Sequence, residues 1–111
     1  MKIFNSILSF SLALSLFVSS ALAADLRFWT TEVQPARMAK QKAMANAFQS
    51  KTGVSVEVIP VEEKDLGTRA TAAYAAGDLP DVIYHTLQYV LPWAEAGILD
   101  SESATDVVYE L

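Results

Sequence analysis

The 111 residues contain no cysteine. That absence removes disulfide staples, thiolate nucleophiles, thiolate metal sites and the lipid-modified cysteine that tethers some exported proteins. His85 is the only imidazole, so no histidine pair can complete a metal set, and no metal is expected. The four glycines are scattered through the chain, which excludes a glycine-rich phosphate cradle. Basic residues are the minority, 8 against 13 acidic, for a net charge of −5. Nucleic acid is therefore not an expected partner, because phosphate binding draws on clustered Lys and Arg. No serine stands in a nucleophile-elbow context, and the carboxylates of Glu62, Glu63, Asp65, Asp78 and Asp81 fall at turns and helix entrances. The expectation is a protein that is not an enzyme and needs no cofactor.

Apolar residues, in contrast, make up 52% of the chain and are unevenly spread. Lys2 precedes a run from Ile3 to Val18, which closes on Ser19-Ser20-Ala21-Leu22-Ala23. A basic start, a short apolar stretch and a small-x-small exit have the order of a secretory signal peptide. The run is short for a membrane span, which takes about 20 apolar residues. Residues 1–23 are thus expected to be a leader cleaved after Ala23, with an uncleaved anchor as the alternative. Cleavage removes only Lys2 from the charge count, so the mature chain, residues 24–111, is more acidic still. An exported, cysteine-free chain of this size has to fold on burial alone.

Residues 24–111 alternate strand and helix patterns. Asp25 to Thr31 reads as a short strand, with Leu26 and Phe28 on one face. Pro35 opens a helical pattern reaching about Lys51, with Ala36, Ala39, Ala43, Ala47 and Phe48 as its apolar stripe and Gly53 as its stop. Val54 to Val61 alternates β-branched residues as a strand does, and a second helix is expected from about Asp65 to Ala76, with Leu66, Ala70, Ala73 and Tyr74 inward. After the turn Gly77-Asp78-Leu79-Pro80-Asp81, Val82-Ile83-Tyr84 reads as a short buried strand. A helix interrupted at Pro92 follows to Ala96, and a last helix starts at Ser101, with Ser101 or Ser103 as its cap. This order predicts an α/β fold of parallel β-α-β units, with right-handed crossovers and helices on both faces of a sheet.

In such sheets, sites form beyond the carboxyl ends of the strands, near a switch in strand order. Those ends are Thr30-Thr31-Glu32, Pro60 to Glu63 and Tyr84-His85-Thr86. Trp29, Tyr84, Tyr89 and Trp93 lie in or just after them, among the hydrogen-bonding groups of Thr30, Thr31, Glu32, His85, Thr86 and Gln88. Flat aromatic faces with a few placed polar groups suit a polar small molecule such as a sugar. Core packing is the favoured reading for Trp29 and Trp93. Gln88 and Tyr89 are the better surface candidates, and His85 is open to either role.

Four pieces of this sequence resemble the extracellular solute-binding proteins of bacterial ABC importers, family 1 or carbohydrate type. They are Leu26-x-Phe28-Trp29-Thr30, Phe48-x-x-x-Thr52-Gly53-Val54-x-Val56-x-Val58, Ala75-Ala76-Gly77-Asp78-x-Pro80-Asp81-Val82-Ile83 and Trp93-Ala94-x-x-Gly97-x-Leu99. They extend over about residues 25–100, and the second and third together are specific. The resemblance implies the N-terminal part of one lobe of a two-lobed periplasmic receptor, which closes on a sugar or other small solute and delivers it to the membrane permease subunits. Family contacts carried onto this chain fall on Thr30, Thr31, Glu32, His85, Gln88 and Tyr89. Maltodextrin-binding members place an aromatic, an acid and a base where this chain has His85, Gln88 and Tyr89. The implied ligand is therefore a carbohydrate or other polar solute, not maltodextrin in particular.

Receptors of this type run to several hundred residues and are expected to be monomers. This chain is accordingly expected to be a fragment lacking the second lobe: a truncated gene, a frameshifted copy or a partial gene product. Such a fragment leaves a sheet edge unpaired and apolar helix faces uncovered. The alternative is a small exported interaction protein that docks on a partner through its exposed sheet edge. Periplasmic localisation is expected on either reading.

Overall fold

The computed structural model describes residues 22–110; most of the expected leader lies outside them. Among the described residues no helix is long and apolar enough to cross a membrane. Three parallel strands form one sheet in the order β2-β1-β3. They are β1 (Leu26–Thr30), β2 (Val56–Pro60) and β3 (Val82–Ile83). Helices α1 (Pro35–Thr52), α2 (Glu63–Ala76), α3 (Val90–Glu95) and α4 (Ser101–Glu110) complete the chain, with one 3₁₀ turn at Leu87–Tyr89 before α3. The fold is α/β, as expected.

Strand alternation decides which helix meets which face. Trp29 pairs with Ile59 and Ile83, and these point to one side; Phe28 pairs with Val58 and Val82 on the other. On the Trp29 side lies the core, formed by Trp29, Val61, Leu66, Ala70 and Trp93, with Ile59, Ala73, Ile83, Tyr89, Ile98 and Leu99 packed against it. Helix α2 enters it through Leu66 and Ala70, one turn apart, and α3 through Trp93. On the Phe28 side lies α1, whose Gln41, Met44, Ala45 and Phe48 border Phe28, Val56 and Val58.

The inward stripe of α1 differs from the expected one. Ala36, Ala39, Ala43 and Ala47 are all exposed, while Met38, Gln41 and Ala45 are half-buried. The stripe nearest the sheet runs through Met38, Gln41 and Ala45, and of the expected stripe only Phe48 borders it, beside Phe28 and Val56. Pro35 stands in the first turn, where its missing N–H costs nothing, and Gly53 (φ 78°) ends the helix in a left-handed cap that returns its N–H to the Gln49 carbonyl. The second helix starts two residues earlier than expected, and Gly77 (φ 67°) closes it in the same manner. The cap of α4 is neither Ser101 nor Ser103 but Asp100, whose Oδ1 accepts from the N–H groups of Glu102 (3.1 Å) and Ser103 (3.0 Å). A carboxylate one residue upstream reaches both free donors, which a hydroxyl within the helix cannot.

The turn Gly77–Asp81 acquires a structural purpose. Arg27 donates its main-chain N–H to Asp81 Oδ2 (2.7 Å) and a guanidinium N–H to the Leu79 carbonyl (2.6 Å), and it pairs with Asp78 Oδ1 at 2.9 Å. The two aspartates thus fasten the start of β3 to β1. At the same end of the sheet, Asp25 Oδ2 accepts from the Ser55 N–H and hydroxyl, both at 2.8 Å.

The bonds from Ser55, backbone first and side chain second, hold the Asp25 carboxyl below its ordinary value. Its folded pKa is lowered, so the unfolded chain takes up the proton first as pH falls. The stabilisation is complete above the unfolded carboxylate value, about 3.9, and disappears as pH drops through the folded value. Urea melts of Asp25→Asn should show a shallower acid loss of stability below pH 4 than the parent. Parallel acid limbs would remove Asp25 from the account.

Candidate functional site

The topology makes one switch point. From β1 the chain moves through α1 to β2; α2 then carries it back across β1 to β3 on the opposite side. Right-handed crossovers in opposite directions place α1 and α2 on opposite faces and leave a crevice at the carboxyl ends of β1 and β3. Both segments named from the sequence leave the sheet there, Thr30 to Glu32 after β1 and His85 onward after β3.

The β1 segment is built as a tight turn. Thr30 is completely buried; its carbonyl accepts from Val61 N–H (2.9 Å) and its Oγ1 from Glu32 N–H (3.1 Å). The Thr31 carbonyl accepts from Val33 N–H at 2.9 Å. Gln41 Nε2 donates to the Glu32 carbonyl (3.0 Å), and Arg37 donates to the Glu32 carboxylate. That bond raises the Arg37 pKa above its already high ordinary value, so the guanidinium stays charged. The loop is consequently fixed to the first turns of α1, with Thr31 and Glu32 half-buried.

The β3 segment is built on aromatic packing. Tyr84 N–H donates to the Trp29 carbonyl at 2.8 Å, so pairing with β1 continues to the strand end. The His85 ring meets Trp93 edge-on at 5.3 Å between centroids, and Tyr89 stacks on the same indole at 4.4 Å with an interplanar angle of 21°. His85 Nδ1 lies 2.9 Å from the Thr86 carbonyl. A carbonyl only accepts, so Nδ1 carries the proton and Nε2 is the nitrogen left for another partner when the ring is neutral. The Thr86 carbonyl also accepts from Tyr89 N–H (3.1 Å), while Thr86 Oγ1 is buried with no partner. Tyr89 fits because Gly67 of α2 faces it: a Cβ there would come within 3.2 Å of the phenol.

The six residues named from the sequence therefore fall into two groups, one after each of the paired strands β1 and β3. His85 and Tyr89 share Trp93 as a support, and Gln88 is exposed between them. Thr31 and Glu32 follow β1, the Glu32 carboxylate paired with Arg37 and lining the groove on the α1 side, with the Thr30 oxygen committed to the turn. Two residues outside that set join the neighbourhood: Thr86, and Arg69, whose guanidinium lies 4.6 Å above the Trp29 ring. No local pattern marks Arg69; only its place on the inner helix near Trp29 does. Tyr84 turns to the α1 side, where a groove of about 430 Å³ is lined by Phe28, Glu32, Arg37, Lys40, Gln41, Met44 and Tyr84. Among the described residues no group of three His, Asp or Glu side chains converges as a metal site.

No protein-family model, curated protein or solved structure matches this chain.

Proposed function

We propose that this chain supplies one wall of a solute-binding cleft, as part of the substrate-binding component of an ABC importer that passes a sugar or other small polar solute to a membrane permease. The observation that supports this reading is the switch point. Aromatic, hydroxyl, carboxylate and imidazole groups are all carried there on two short segments leaving adjacent parallel strands. Both segments are held by hydrogen bonds or aromatic packing, which is how a scaffold pre-orients polar contacts for a small ligand. The four sequence pieces shared with carbohydrate-type receptors point the same way. Thr31, Glu32, His85 and Gln88 are the groups that would meet solute hydroxyls, with Tyr89 as a flat apolar surface and Thr30 as the support of the turn.

One wall holds a sugar weakly, because sugar affinity comes from enclosing the ring between opposed surfaces. Isothermal calorimetry of the purified chain with a panel of mono- and disaccharides should show no saturable micromolar binding; a saturable isotherm would refute the one-wall account. The receptor reading has a separate test in the DNA beyond the codon for Leu111. A continuing frame that encodes a second α/β lobe, with two permease genes beside it, is the expected result. Unrelated sequence there would overturn the assignment.

A further inference from the structure

The sheet face opposite the core is only half covered. Helix α1 lies over β2 and part of β1, and three apolar hollows that share Phe28 form a trough along β1, partly beneath the helix. Its upper part is the groove by Tyr84 and Met44; two further hollows of about 230 and 220 Å³ continue it past Phe48 and Val56 to Leu26 and Val82, with Phe28 common to all three. Val82 and Tyr84 are half exposed along its far wall. In α/β architecture this is where a second helix belongs, beside α1 and over the β1–β3 pair.

Among the described residues one helix has an apolar stripe that packs on nothing. Every residue of α4 is exposed, including Val107 (56%) and Val108 (71%), which with Ala104 lie three and four residues apart on one side. Its ten residues span ~15 Å, against about 16 Å for the five residues of β1. Charge matches as well. Of the cations of α1, Arg37, paired with Glu32, and Lys40 line the trough, and α4 carries Glu102, Asp106 and Glu110 and no base.

A chain's own α4 cannot occupy its own trough. Ile98 and Leu99 pack into the core on the opposite face of the sheet, and Asp100 alone separates Leu99 from α4. One residue, at most ~3.6 Å of chain, does not carry a helix around the edge of β3 to the other face. We propose that the trough receives α4 of a second copy of this chain, and that the exchange is reciprocal, so that two copies close into a symmetric dimer. Reciprocity uses up both unpartnered surfaces of each copy at once, which separates a closed pair from open-ended aggregation. The trough and the proposed solute-binding wall share Glu32, and the two readings are tested apart, the dimer by sedimentation and the wall by calorimetry.

The test uses the full chain, produced with its leader and purified as the cell processes it. Sedimentation should give a dimer. Val107→Asp combined with Val108→Asp should yield a monomer with an unchanged circular dichroism spectrum, because α4 packs on nothing in its own copy. Lys40→Glu should weaken the dimer by roughly two- to fivefold, the size of one exposed ion pair. The absence of native cysteine permits a direct readout. Mixing Met44→Cys chains with Val108→Cys chains should give a disulfide between the two variants under mild oxidation, and each variant alone should give little. A monomeric parent chain overturns the proposal. So does an assembly that survives the α4 substitutions, a crosslink formed by Val108→Cys chains alone, or an internal crosslink in a monomer carrying both substitutions.

Discussion

Trp93→Ala should remove about 3–5 kcal/mol of stability, the range for emptying a buried aromatic site. Domains of this size hold only about 5–15 kcal/mol in total, so the variant should lose its cooperative urea transition or show it shifted to very low denaturant. Three observations concentrate the cost on this side chain. It is 5% exposed, in a core that has five buried apolar members among the described residues, so its loss empties a large share of that core. Its ring is the surface on which both His85 and Tyr89 rest. Its carbonyl accepts from the N–H groups of Ile98 (2.9 Å) and Leu99 (3.3 Å), which folds the chain end back onto the core, and that return depends on α3 keeping its place. Leu91→Ala in the same helix is the control: Leu91 is 66% exposed, and surface changes of this kind stay within about 0.5 kcal/mol. A Trp93→Ala loss below about 1 kcal/mol would mean that the indole is not the keystone described here. The experiment also bears on the candidate site, since stability and the placement of His85 and Tyr89 should fall together.

That dependence explains which parts of the molecule were legible in the sequence. The strand–helix alternation was legible because each element carries its own signal: β-branched alternation at Val54–Val58, proline and glycine bracketing α1, and glycine after Ala76. The parallel pairing followed from the same alternation, whereas the order β2-β1-β3, and with it the switch point, was not legible, because a right-handed crossover can place β3 on either side of the β1–β2 pair. Apart from Phe48, the inward face of α1 was not legible. Its alanines have a helical period as regular as that of Met38, Gln41 and Ala45, and only the position of β2 distinguishes the two stripes. The cap at Asp100 was missed because serines adjacent to it satisfy the same local preference. Reach toward the free N–H groups decided between them. Within the site, the strand ends that carry Thr31, Glu32 and His85 could be named from spacing, whereas the support of His85 by Trp93, eight residues on and across a 3₁₀ turn, rests on tertiary packing. The turn Gly77–Asp81 lies between these cases. Its carboxylates were expected to form a turn, but their grip on Arg27, more than fifty residues earlier, appears only in the folded chain.

Thr30 is the position at which fold and site meet, and Thr30→Val is the sharpest way to separate their claims. Valine matches threonine in shape, so the substitution leaves no cavity. What it removes is the acceptor for Glu32 N–H in a position of zero exposure. A donor left without a partner costs about 1–3 kcal/mol when fully buried, and the half-buried Glu32 N–H belongs at the low end of that range. The predicted result is a destabilisation in that range, together with faster hydrogen exchange at the Glu32 amide and little change at amides within α2. Thr30→Ser restores the oxygen and gives up one buried methyl group, worth about 0.8 kcal/mol. It should therefore return the Glu32 amide to its protected state even though the serine variant is itself somewhat less stable than the parent. Stability alone would not tell these variants apart; the amide does. If Thr30→Val leaves Glu32 protection intact, the turn is held by Arg37 and Gln41 instead, and the Thr30 oxygen is spare. If protection is lost and regained as described, Thr30 sets the position of Thr31 and Glu32, the two residues proposed to meet a solute. The first strand end is then a preset surface whose last buried residue fixes the two that face outward.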